Sequence, residues 1–100
     1  MTAAFTQTGG VRISLFNATW PLATIEATEA VLCLRCFWKC WSFPKHQIIR
    51  LSQHRRFSIG LRIQHSIPNY SRFVVFWTFD FAKLRRALEE RGYTVYDAAA

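Results

Sequence analysis

The chain has 100 residues, of which 51% are hydrophobic and 16% aromatic, and it carries a formal net charge of +7. Length and composition predict one folded domain and exclude a disordered polar chain, because there is ample apolar material for a core. No apolar run in the sequence approaches the roughly 20 residues of a membrane-spanning helix, and the basic balance favours an anionic partner.

Six segments alternate between apolar and polar residues or are rich in β-branched residues, as strands are. They are residues 11–16, 20–27, 31–37, 47–53, 59–65 and 72–79. The third is expected to pair back on the second in a hairpin. In the fourth, Ile49 and Leu51 are predicted to face the core, and the last is apolar on both faces, which predicts a central, well-covered strand. Residues 38–44 are ambiguous. They could form a seventh strand, because Pro44 argues against a helix there.

One amphipathic helix is predicted over residues 81–91. Asp80 is a good N-cap and Gly92 a good C′ residue, and apolar residues recur at helical spacing between them. These apolar residues are Phe81, Leu84 and Leu88. Arg86 and Glu90 are expected to pair at i, i+4 on the exposed side of the helix.

Strands and helix are segregated along the chain, so we predict an α+β, mainly β fold. A strongly curved antiparallel sheet or barrel of six to seven strands would be closed by one C-terminal helix. Residues 11–96 would form this single domain, between a flexible N-terminus over residues 1–10 and a flexible tail over residues 97–100. The first residues also lack the charged and apolar regions of a signal peptide, so we expect none.

The order of elements resembles that of bacterial pleckstrin-homology-like domains, relatives of the PH and GRAM domains. The likeness is carried by Phe43-Pro44 leading into residues 47–53, by GLRIQH (60–65), by RFVVFWTF (72–79) and by DFAKLRRALEERGY (80–93). It spans about residues 17–93 and implies a PH-like barrel whose basic loop at the open end can bind phosphoinositide headgroups. The first hairpin, however, has Glu29 where such domains usually carry cations, which argues against classical phosphoinositide binding.

Three cysteines form the spacing C-x2-C-x3-C at Cys33, Cys36 and Cys40, with His46 following. Zinc requires four converging ligands, whereas strand alternation directs Cys33 and Cys36 to opposite faces. We therefore expect free thiols, no metal and no cofactor. The odd number of cysteines argues for a reducing compartment, and we expect a cytoplasmic protein.

Fifty residues between Glu29 and Asp80 contain no carboxylate, yet they hold eight of the thirteen lysines and arginines. They also hold all three histidines, so no nearby carboxylate in the sequence can orient His46, His54 or His65 as a general base. The chain has no nucleophile-elbow, phosphate-loop or zinc-protease motif. We therefore predict that the protein is not an enzyme.

The candidate ligand-binding residues lie on two predicted strands and the turn that joins them. They are Arg50, His54, Arg55, Arg56 and Arg62. Arg50 and Arg62 are expected to share an outer sheet face, where their planar, forked guanidinium groups suit phosphate or carboxylate. The alternative is a solvated exterior on which arginine side chains pack over exposed rings.

These features predict a small non-catalytic binding or scaffolding domain that recognises a protein or an anionic ligand through its basic face, with a homodimer as one arrangement. The alternative is a nucleic-acid-binding β-barrel that uses the same arginines, with Trp38 or Trp41 as stacking groups. Salt separates the two alternatives, because nucleic-acid binding weakens steeply as the salt concentration rises.

Overall fold

The structure is a computed structural model that describes residues 3–55 and 59–98. Within these residues the chain forms eight strands and one α-helix. The strands are β1 (Phe5–Ile13), β2 (Phe16–Ala27), β3 (Val31–Cys36), β4 (Lys39–Pro44), β5 (Ile48–His54), β6 (Gly60–His65), β7 (Val74–Trp77) and β8 (Val95–Tyr96). The helix, α1, spans Phe81–Glu90, and a 3-10 turn spans Lys45–Gln47.

All eight strands belong to one sheet with the order β4-β3-β2-β1-β7-β6-β5-β8. Neighbours are antiparallel except β5 and β8, which are parallel. The prediction of a mainly β fold with a curved sheet and one helix is confirmed for the described residues. The predicted strand count is wrong, because β4 pairs with β3 and β8 adds an edge strand. Since β8 follows α1, the helix is not the last element.

Residues 5–10, which were predicted to belong to a flexible N-terminus, are part of the sheet. Strand β1 begins at Phe5 and pairs with both β2 and β7. The Gln7 side chain accepts a hydrogen bond from Thr78 Oγ1 at 2.7 Å and donates to the Asp80 carbonyl at 3.1 Å. Residues 5–9 pair with β2, and pairing with β7 begins at Gly10. Backbone hydrogen bonds do not depend on side-chain type, so the polar composition did not reveal this strand.

The core lies on the inner face of the curled sheet. Its largest fully buried side chains are Phe43, Phe76, Ile25, Leu32, Leu34, Leu51, Leu61, Ile63, Leu84, Leu88, Val11 and Val74. Leu51 faces inward as predicted, but Ile49 is exposed. A register shift between Ile48 and Arg50 causes this reversal, because one extra residue in a strand turns the neighbouring side chains to the other face.

Helix α1 begins at the predicted residue and ends at Glu90, one residue before the predicted end. The Asp80 carboxylate accepts a hydrogen bond from the Lys83 amide at 3.1 Å, and Gly92 has a φ of +87°, the left-handed conformation of a C′ glycine. Leu84 and Leu88 are buried in the core cluster. No helix within the described ranges is long and apolar enough to span a membrane.

The ion pairs of this helix differ from the predicted Arg86–Glu90 pair. Arg85 Nε lies 3.4 Å from Glu89 Oε2, and Arg85 Nη1 lies 2.7 Å from Asp97 Oδ1. Asp97, the first residue of the predicted flexible tail, thus contacts the helix. Arg85 also donates to the Val95 carbonyl at 2.8 Å, so it joins α1 to β8.

Candidate functional site: the outer face of the sheet

The outer face of five neighbouring strands presents two adjoining rows of side chains. The first row, across β1, β7, β6, β5 and β8, is Arg12, Val75, Arg62, Ser52 and Tyr96. The second row, across β1, β7, β6 and β5, is Gly10, Trp77, Gly60 and His54. We call the charged and aromatic side chains of this surface the aromatic–arginine face. Its members are Arg12, Arg50, His54, Arg62, Phe73, Trp77 and Tyr96. Trp20 and Phe79 lie at its rim.

Two arginines lie against one ring on this face. The guanidinium carbon of Arg62 is 5.3 Å from the centroid of Phe73, and that of Arg12 is 6.0 Å from the same centroid. Val75 lies between the two arginines in the first row and is 0% exposed, although it points away from the core cluster. The long side chains and flanking rings therefore form a cover over this part of the sheet.

Trp77 lies in the second row, next to a glycine that makes room for it. A Cβ atom on Gly60 would lie 3.0 Å from Trp77 Cε3 and only 2.5 Å from the Phe76 carbonyl oxygen. Beyond Gly60, the His54 ring is edge-on to Trp77 at 5.3 Å and to Phe73 at 6.0 Å. The lack of a side chain at Gly60 thus lets a tryptophan from β7 and a histidine from β5 meet across β6.

Two cavities open on this face and share Arg12 and Trp77. The first, of about 550 Å³, is lined by Arg12, Asn17, Thr19, Trp20, Ile59, Trp77, Thr78 and Phe79. The second, of about 500 Å³, is lined by Arg12, Ser14, Leu15, His54, Arg62, Phe73 and Trp77. The first is mainly apolar and the second contains two arginines, so together they form a groove with an aromatic half and a cationic half.

The carboxylates of the chain lie elsewhere, and most are used within the protein. Glu26 pairs with Arg35 at 3.3 Å, Glu89 and Asp97 pair with Arg85, and Glu90 lies 3.9 Å from Arg91. Among the described residues, no carboxylate lies within ion-pair distance of the two arginines beside Phe73. The Nε of Arg62 is buried and has no hydrogen-bond partner among the described residues. Negative charge near these two arginines must therefore come from outside the described chain.

The predicted site residues are only partly brought together. Arg62 and His54 line the cationic half of the groove. Arg50 shares the outer face with Arg62, as strand alternation predicted, but its guanidinium carbon stacks 4.1 Å from the centroid of Tyr96, away from Phe73. Arg55 is exposed just after β5. Arg56 lies outside the described residues.

Sequence reasoning missed the other residues of the groove, including Arg12, Phe73 and Trp77. Arg12 lies between Val11 and Ile13, so strand alternation predicts that its side chain points outward. The sequence does not indicate which strand pairs with it. The segment around β7 was expected to be covered on both faces. Instead its outer side chains Phe73 and Trp77 are half-buried under neighbouring side chains of the same face. A run of apolar residues predicts that a strand is covered on both faces. It does not indicate whether the cover is a second layer of secondary structure or the side chains of arginines on the same sheet.

The tryptophans proposed as stacking groups lie apart from this groove. Trp38 is 87% exposed at the turn between β3 and β4. Trp41 packs against Phe16, with ring centroids 5.6 Å apart, and joins the edge of the core. Both belong to the β4 end of the strand order, whereas the arginines of the groove lie on β1 and β6. Neither tryptophan lines the two cavities.

The three cysteines and the buried histidine, His65, lie outside the groove and make contacts within the fold. Cys36 is in the core, where burial raises the pKa of its thiol, while Cys33 contacts Ser42 Oγ at 3.5 Å and Cys40 is exposed. Within the described ranges, no three His, Cys, Asp or Glu residues are grouped to hold a metal ion. His65 Nδ1 accepts from the Ile67 amide at 3.0 Å and Nε2 lies 2.7 Å from the Ser71 carbonyl, so this ring holds the loop after β6.

The outer face can therefore bind an anion through two guanidinium groups and a flat or apolar group through several rings. The resemblance to pleckstrin-homology-like domains stays a prediction. Compared with protein-family models, with curated proteins and with solved structures, the chain matches none of them.

Proposed function

We propose that the protein is a small, non-catalytic binding domain that recognises an anionic ligand through the aromatic–arginine face. One observation carries the proposal: Arg12 and Arg62 flank the same ring, and no carboxylate of the described chain pairs with either. Two like charges held side by side repel each other, and an anion between them removes that repulsion. Their planar forks match phosphate or carboxylate oxygens.

A non-catalytic role is supported by the surroundings of the histidine on this face. His54 contacts the rings of Phe73 and Trp77. The described residues that line the two cavities include no carboxylate that could orient its imidazole as a general base. We also propose a cytoplasmic location, in keeping with three free cysteines.

Heparin, a soluble polyanion, is a suitable first probe. We expect the double variant Arg12→Gln/Arg62→Gln to bind heparin at least 10-fold more weakly than the wild type. The control is Lys83→Gln/Arg86→Gln, which removes the same charge from two exposed positions on α1 and should change affinity much less. Equal losses in the two double variants would mean that net charge alone attracts the polyanion, and the proposed site would be wrong.

A further inference from the structure

The groove on the aromatic–arginine face has two chemically different halves that meet at Arg12 and Trp77. The aromatic half is bounded by Trp20, Trp77 and Phe79, and the cationic half by Arg62 and His54. A ligand that fills both halves must carry a flat, apolar group and an anionic group next to each other. A nucleotide has this combination in its base and its phosphate.

Two rings at the edge of the aromatic half are exposed and close together. Trp20 is 52% exposed and Phe79 is 86% exposed, and their ring centroids are 5.7 Å apart. Exposed apolar patches of this kind mark binding sites on soluble proteins. The cavity beside them, about 550 Å³, is within the size range of small-ligand pockets.

Polar groups at the edge of the aromatic half suit a nucleobase. Asn17 and Thr19 line the cavity together with Trp20 and Trp77. An amide and a hydroxyl can both donate and accept hydrogen bonds, so they can meet the edge of any base. Rings, in contrast, stack on every base, because each base has a flat π-face.

Charge decides between possible occupants of the groove. A second copy of this chain, also at a net charge of +7, would bring further cations towards Arg12 and Arg62 and increase the repulsion. An acidic peptide would neutralise these arginines, but its Asp and Glu side chains would not themselves supply flat groups for Trp20 and Phe79. A strand of unpaired nucleotides supplies both, whereas the bases of a duplex are stacked on each other and not available to the rings.

We infer that the ligand of the aromatic–arginine face is single-stranded nucleic acid, with one base held by Trp20 and Trp77 and the adjoining phosphates held by Arg12 and Arg62. This inference rests on the proposed anion-binding function and names its ligand. Binding on such a face combines ring stacking with an electrostatic contribution that falls steeply with salt.

The test measures fluorescence anisotropy of labelled oligonucleotides of about 12 nucleotides, near the site size of small single-strand binding domains. The probes are oligo(dT), an abasic strand with the same number of phosphates, and a duplex, first at about 50 mM salt and then at about 200 mM. We expect oligo(dT) to bind at least about 10-fold more tightly than either the abasic strand or the duplex. Each stacked base contributes roughly 1–3 kcal/mol, which corresponds to such a factor.

Two exposed tryptophans provide a matched pair of variants. Trp20→Leu should weaken oligo(dT) binding by about 10-fold and leave abasic binding unchanged, because it removes stacking and no charge. Trp38→Leu, at an exposed tryptophan outside the groove, should change neither. Arg12→Gln/Arg62→Gln should weaken both probes and reduce the slope of log affinity against log salt by about 1.4, since each phosphate contact on a single strand contributes about 0.7.

The outcomes separate this inference from the proposed function. Equal binding of oligo(dT) and the abasic strand, still dependent on Arg12 and Arg62, would keep the anion site and overturn the nucleic-acid assignment. Loss of oligo(dT) binding in Trp38→Leu but not in Trp20→Leu would overturn the groove. If vesicles containing phosphatidylserine bind more tightly than oligo(dT) in the same buffer, the ligand class is wrong. If oligo(dT), the abasic strand and heparin all fail to bind at about 50 mM salt, both this inference and the proposed function are wrong.

Discussion

Two regions of this protein hold arginines in opposite surroundings. At the end of α1, Arg91 is 8% exposed, and it donates to the Ala87 carbonyl at 2.8 Å and to the Ala3 carbonyl. Arg85 lies between Glu89 and Asp97 nearby, and hydrogen bonding to Asp97 raises its pKa. On the aromatic–arginine face, Arg12 and Arg62 contact a ring but no described carboxylate.

The difference separates arginines that hold the fold together from arginines that are available to a ligand. A buried guanidinium is tolerated only if oxygen atoms surround it, because leaving its N–H groups without partners costs free energy. Arg91 meets this requirement within the chain. Arg12 is exposed and Arg62 is only half-buried, and the buried Nε of Arg62 has no hydrogen-bond partner among the described residues. Their charge therefore remains available to an external anion. Substitutions in the two regions should therefore have opposite effects on stability and on binding.

The largest effect on stability is expected from Arg91→Ala. The substitution removes the hydrogen bonds from the end of α1 to Ala3, two residues before β1, and the one to Ala87. It also removes the contact with the Phe5 ring, whose centroid is 5.7 Å from the guanidinium carbon. We expect the free energy of unfolding to fall by about 3 kcal/mol, the range for charged hydrogen bonds and lost packing. Urea denaturation measures this loss. Arg86→Ala, at an exposed position of α1, is the control and should stay within about 0.5 kcal/mol of the wild type; equal losses would remove the distinction.

The next largest effect is expected from Gly60→Ala on the outer face. The new Cβ would lie 2.5 Å from the backbone oxygen of Phe76, which cannot easily move, and would press on Trp77. We expect a loss of about 2 kcal/mol, typical of overpacking, together with a changed near-ultraviolet circular dichroism signal from tryptophan. Ser52→Ala, in the first row of the same face, should alter neither. An unchanged spectrum in Gly60→Ala would mean that Gly60 does not position Trp77.

A smaller effect is expected from Tyr93→Phe, and it should depend on pH. Tyr93 donates to the Thr28 carbonyl at 2.8 Å, and burial raises its pKa to about 12. At neutral pH we expect a loss of about 1 kcal/mol for one hydrogen bond. The unfolded phenol ionises near pH 10, before the folded one, so wild-type stability should fall as the pH rises from about 10 to about 12.

Thermal unfolding between neutral and alkaline pH measures this dependence. Tyr93→Phe should lack the part of the alkaline fall that Tyr93 causes, since the variant has no phenol to ionise there. Tyr96→Phe, at an exposed tyrosine, retains Tyr93 and should keep that part of the fall. If both variants follow the wild type at high pH, Tyr93 is not the group whose ionisation opposes folding.

The smallest effect on stability is expected from Arg12→Gln, the counterpart of Arg91→Ala. Arg12 is exposed and shares the Phe73 ring with Arg62, so removing one of two like charges relieves repulsion. We expect the free energy of unfolding to stay within about 0.5 kcal/mol of the wild type, or to rise slightly at low salt. Denaturation at low and high salt tests this. A loss above about 1 kcal/mol would mean that the cover that Arg12 contributes over Val75 stabilises the fold, so that Arg12 belongs with the structural arginines.

The sequence by itself determined the features that depend on neighbouring residues. Asp80 and Gly92 delimit α1 because a side-chain cap and a left-handed glycine act within one helical turn. Alternation in β6 placed Leu61 and Ile63 inward and Arg62 outward, because successive strand side chains point to opposite faces. One of the two arginines beside Phe73 was therefore found from sequence.

Only the tertiary structure decided which distant segments meet. Residues 5–9 became a strand because β2 pairs with them, and β7 adds its pairing from Gly10 onwards. A register shift turned Ile49 outward. Arg12 reached Phe73 because β1 pairs with β7, more than sixty residues later in the chain. Such pairing depends on backbone hydrogen bonds and register across the whole sheet, which local residue patterns do not contain. The groove is therefore a property of the fold, although the charge that makes it basic was visible in the sequence.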